Sequence, residues 1–65
     1  MNEKNARQVA EALKGEAWHS GGGIWLALKR HEDGRIVAIS EDLVCEYKDE
    51  EALHTGETLT TIDLV

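Results

Sequence analysis

The stretch from Gly21 to Ser40 constrains the fold more than any other part of the chain, because it reads as a β-hairpin. Ile24 to His31 and Arg35 to Ser40 are rich in Ile, Leu, Val and Ala, and Glu32-Asp33-Gly34 between them is a turn signal. Asp33-Gly34 suits a two-residue type I′ turn, whose central positions both need positive φ. That loop sets Glu32 opposite Arg35, Leu28 opposite Ile39 and Arg30 opposite Val37. Side chains alternate along a strand, so Ile24, Leu26, Leu28, Val37 and Ile39 then share one face. Trp25, Ala27, Ile36 and Ala38 share the other. A three-residue loop with Gly34 in a bulge shifts the pairing by one and sets Leu28 against Ala38. The two-residue loop is preferred because it gathers the large aliphatics on one side, and a buried face fixes register.

The second face is too apolar for a sheet surface turned to water, where polar and apolar residues should alternate. A chain of 65 residues has little left over to cover two faces. Trp25, Ala27, Ile36 and Ala38 are therefore the candidate interface, with Trp25 as its anchor, since Trp is enriched at binding hot spots.

Chains this short fold with help from disulfides, metals or association. The single cysteine, Cys45, allows no internal disulfide and points to a reducing compartment. Met1 to Asn5 lacks the basic start and apolar run of a signal peptide. No apolar run approaches the roughly 18 residues of a membrane span. The expectation is a cytoplasmic protein, one small domain over residues 1–65, with homodimer formation as the remaining aid and no membrane contact.

Charge is uneven along the chain. Residues 1–40 carry six Lys/Arg against five Asp/Glu, whereas residues 41–65 carry one Lys against eight acids, which together make the net −6. Such a chain repels a phosphate backbone, so no direct nucleic-acid binding is expected. Glu41, Asp42, Glu46, Asp49, Glu50 and Glu51 form the candidate acidic surface. Its plain reading is a solvated face that aids solubility, and its sharper reading is a surface for a basic partner.

Asn2 to Lys14 reads as a helix, capped by Asn2 or Asn5, with Ala6, Val9, Ala10, Leu13 and Ala17 on one stripe. Gly15 is the expected left-handed stop. Glu16 to Ser20 stays open between strand, helical turn and loop, and Gly21-Gly22-Gly23 reads as a flexible joint or bulge. After the hairpin, Glu41-Asp42 turns, residues 43–47 form a third strand, and residues 49–54 form a short helix capped by Asp49. Residues 59–65 form a C-terminal strand. The fold class is α+β: an N-terminal helix packed on a small antiparallel sheet of three to four strands.

No motif fixes a chemistry. His19, His31, His54 and Cys45 lack the close pairing of zinc ligands, so no metal is expected. Cys45 sits beside Glu46, which opposes thiolate formation, and reads as a small core residue. The acid pairs Glu41-Asp42 and Glu50-Glu51 read as a turn and a helix start rather than as an acid and a base. Trp18 reads as core. The expected function is that of a non-enzymatic, cofactor-free interaction or regulatory module that binds a second copy or another protein. The alternative is an acidic inhibitor that imitates nucleic acid and occupies the basic groove of a nuclease or DNA-binding protein.

Overall fold

The computed structural model describes residues 1–64, and in it a five-stranded antiparallel sheet lies between two helices. The elements run α1 (Glu3–Leu13), β1 (Glu16–Gly21), β2 (Ile24–Arg30), β3 (Ile36–Ile39), β4 (Leu43–Tyr47), α2 (Glu50–Thr55) and β5 (Thr58–Asp63). Sheet order follows chain order from β1 to β5. The α+β class stands, with five strands rather than three to four. The fifth is β1, the segment left open in the sequence. Its joint is resolved too: Gly22 and Gly23 make the β1–β2 turn, with a register shift between His19 and Gly21. Val65, the end of the expected C-terminal strand, lies outside the described residues.

The central hairpin takes the three-residue loop, not the expected two-residue one. His31 N donates to Arg35 O at 2.8 Å and Gly34 N to His31 O at 3.0 Å, with Gly34 at φ +96°. Leu28 therefore faces Ala38 and Arg30 faces Ile36. This slip of one residue moves Ile36 and Ala38 to the face of Leu26 and Leu28, and moves Val37 and Ile39 to the face of Trp25 and Ala27. Arg35 meets Asp33 rather than Glu32, through a backbone bond of 3.1 Å and a side-chain bond of 2.8 Å. These bonds, the backbone one foremost, hold the Asp33 carboxyl below the usual range.

Each sheet face has its own helix. On one face Leu28 and Ile36, essentially without solvent contact, pack with Ala38 and with Leu53 of α2, flanked by Trp18, Leu26 and Tyr47. Full burial of each such aliphatic side chain contributes about 1.5–3 kcal/mol. Burial also pushes the Tyr47 phenol up, and the neighbouring Cys45 thiol adds to this. The preference for a single aliphatic face assumed one covered side. α2 supplies a second.

On the other face α1 lies over β1 and β2, with Ala6 and Ala10 buried and Val9 and Leu13 half-buried. Opposite them Ala17 pairs with Ala27, so the sheet surface there is lined by methyl groups and the helix approaches closely. Asn2 caps α1 by accepting from Asn5 N at 2.8 Å. The left-handed stop falls on Lys14, at φ 59°, rather than on Gly15. Gly15 is needed for space: a Cβ there would stand 1.9 Å from the carbonyl oxygen of Leu28. The chain must pass flat against β2 to leave α1 and enter β1.

Candidate interaction surface

The expected interface quartet is split by the observed register. Ala27 is buried on the α1 face, whereas Ile36 and Ala38 are buried on the α2 face, so these three do not form one outward patch. α1 covers Ala27, and Leu53 of α2 packs on Ile36 and Ala38. Trp25 alone of the four keeps exposed surface. Its ring lies between two neighbours: the Arg7 guanidinium sits 5.8 Å above it, and the His19 ring stands 4.9 Å away at 30°. Its backbone amide donates to Met1 O at 3.2 Å, which ties the start of the chain to β2. Trp18 packs at the edge of the α2 core, with the His54 ring edge-on at 6.0 Å.

The acids of the candidate surface are dispersed, and five of the six are engaged one by one. Glu41 meets the Met1 amino group at 3.6 Å, and Asp42 accepts from Ser40 Oγ at 3.2 Å. Glu46 reaches Arg35 at 3.4 Å on the α1 face. Asp49 caps α2 through Ala52 N at 2.8 Å. Glu50 bonds to Arg30, which also holds Glu16 at 2.7 Å, so one guanidinium pins the start of α2 to β1 and β2. Arg30 holds the Glu50 carboxyl below the usual range, chiefly by that hydrogen bond. Glu51 is exposed in the first turn of α2. These side chains lie on both faces of the sheet and at both ends of β4.

Cys45 is buried on the α2 face, where its sulfur lies 3.8 Å from Thr61 Oγ1. Among the described residues, no group of three or more His, Cys, Asp and Glu side chains is placed to hold a metal ion. No helix of the described residues is long and apolar enough to cross a membrane.

Most of the apolar surface that remains open lies on the β4–β5 side of the sheet. α1 spans β1 and β2, so Val37, Val44, Thr60 and Ile62 border an uncovered groove on its face, with Glu46 between Val37 and Thr60. Ile24, Leu59, Ile62 and Leu64 are the exposed large hydrophobic residues of the described chain, and three of them lie on β5 or next to it. Sequence reasoning missed this patch because it looked for unpaired apolar residues within the hairpin. Leu59, Ile62 and Leu64 read there as ordinary strand residues, and nothing in the letters tells whether a helix covers them. Comparison with protein-family models, with curated proteins and with solved structures finds no match.

Proposed function

We propose that this chain is a small cytoplasmic, non-enzymatic interaction module that associates with a second copy of itself through its β3–β5 side. The observation that carries this reading is the uneven cover of the sheet: α1 shields β1 and β2, and the apolar groove at Val37, Val44 and Ile62 beside it is open. A chain of this size gains stability by burying such surface against a partner. The interface is thus moved from the expected hairpin residues to the far side of the sheet, with Trp25 at its border under α1.

Imitation of a nucleic-acid backbone draws its support from the charge balance of residues 41–65. It is the weaker reading, because a mimic needs carboxylates in a regular array on one surface, and here they cap helices, close turns and pair with arginines.

Light scattering after size exclusion tests the proposal, at protein concentrations from a few micromolar to about a millimolar, the range in which a modest apolar contact is populated. A mass rising towards twice the monomer is expected, with Val44→Asp returning it to the monomer. A wild-type monomer at every concentration overturns self-association.

A further inference from the structure

We infer that β5 is the pairing edge: two copies join β5 to β5 antiparallel about a two-fold axis, with Ile62 opposite its counterpart, into a continuous ten-stranded sheet. This rests on the self-association reading above and names its geometry. The strand direction of the backbone carries the argument. Leu64 N donates to Asp42 O at 2.8 Å, which makes that pair a bonded one in the β4–β5 ladder. Bonded and non-bonded pairs alternate in an antiparallel ladder, so Ile62 and Thr60 also turn their amides to β4. Thr61 and Asp63 turn theirs outward. The register shift of this pair lies at Glu46/Tyr47, before Thr60, so the alternation holds from Thr60 to Leu64.

An outward row of amides and carbonyls is met best by another strand. Natural edges are blunted by Lys, by Pro or by cover from a helix. Thr60 to Leu64 contain neither residue type, every residue of β5 is exposed, and α1 lies over β1 and β2 instead. The segment is also complementary to itself. In the antiparallel register centred on Ile62, Thr61 bonds to Asp63 of the second copy, and Thr60 faces Leu64. The Ile62 pair falls in the close, non-bonded position, which suits aliphatic cross-strand contact. No two like charges come opposite each other. The Val37, Val44 and Ile62 strip of one copy then continues into that of the other. Elsewhere the copies are acidic and repel, so added salt should tighten the pair.

Three variants test the geometry. Thr61→Pro removes an outward amide and leaves the β4 ladder untouched, as edge prolines do. It is expected to weaken the dimer about tenfold or more, one interchain bond being lost on each side, with circular dichroism and melting close to wild type. Ile62→Cys in a Cys45→Ala background should form an interchain disulfide under mild oxidation, because non-bonded antiparallel pairs bring the Cα atoms within disulfide reach. Val37→Cys in the same background should not. If the mass is dimeric but Val37→Cys cross-links and Ile62→Cys does not, the copies stack sheet face on sheet face, and the edge geometry is overturned while self-association stands. A monomeric wild type overturns both.

Discussion

The two edges of the sheet are built from similar numbers of residues and meet opposite fates. β1 is sheltered on both sides, by α1 on one face and by the His54 edge against Trp18 on the other. β5 is likewise a terminal strand, but α1 does not reach over it and each of its residues from Thr58 to Asp63 is exposed. Two helices of eleven and six residues are enough to enclose one half of a five-stranded sheet and no more. The covered half supplies the stability of the monomer. The bare half supplies the surface.

The sharpest way to break that contrast is to remove one aliphatic side chain from each half. Leu28→Ala empties a site with no solvent contact and is expected to cost about 2–5 kcal/mol, read as a large fall in the urea midpoint. Ile62→Ala removes a side chain that is 55% exposed. In dilute protein it should cost well under about 1 kcal/mol, in keeping with exposed substitutions generally. A loss at Ile62 that grows with protein concentration would place that residue inside the dimer. A loss as large as that at Leu28 in dilute monomer would erase the distinction between the halves.

Gly15→Ala probes the seam by which α1 is held to the covered half. The added methyl meets the Leu28 carbonyl, a backbone group that cannot rotate away, so either α1 or β2 must shift. The expected loss is about 1–3 kcal/mol, visible as a lower melting temperature, together with weakened amide protection in α1. Unchanged stability would mean that α1 sits more loosely on the sheet than its buried alanines imply.

The smallest effect concerns pH. Glu50 has a lowered carboxyl pKa in the folded state, through its bonds to Arg30. A depressed carboxylate contributes stability above its unfolded pKa, about 4.3 for Glu. That contribution fades as pH falls through the folded value. Glu50→Gln should therefore be slightly less stable than wild type at pH 7, only slightly because the pair is exposed and screened, and the two curves should converge as pH falls below about 4.3 and through the folded value. An identical acid limb in wild type and variant would show that Arg30 does not hold α2 to the strands in solution.

Much of this architecture is legible in the letters. The asparagine and aspartate caps at Asn2 and Asp49 mark both helix starts, because a short side-chain oxygen can satisfy only a nearby amide. The stripe of Ala6 and Ala10 shows which side of α1 turns inward, and residues 43–47 form the expected strand. β1 was ambiguous, since Glu16 to Ser20 has neither clean alternation nor helical spacing, and it becomes a strand by pairing with β2. The interaction surface was the least legible feature. Trp25, Ala27, Ile36 and Ala38 were grouped by an assumed turn, and a one-residue change of loop length sends two of them to the opposite face.

The sequence by itself determined what depends on neighbours within a few residues: the caps, the place of the turn before Arg35 though not its length, the hairpin's existence and the acidic bias of residues 41–65. Tertiary structure alone decided the register, the role of Gly15 and which edge is left bare. The physical reason is that these depend on what lies across the sheet. Leu53 of α2 makes the Leu28 and Ile36 face worth burying, and that contact settles the choice between two turns of nearly equal local merit. Likewise Ile62 and Leu64 stay exposed because α1 is already placed over β1 and β2 and α2 over the opposite face, a matter of topology that no local pattern records.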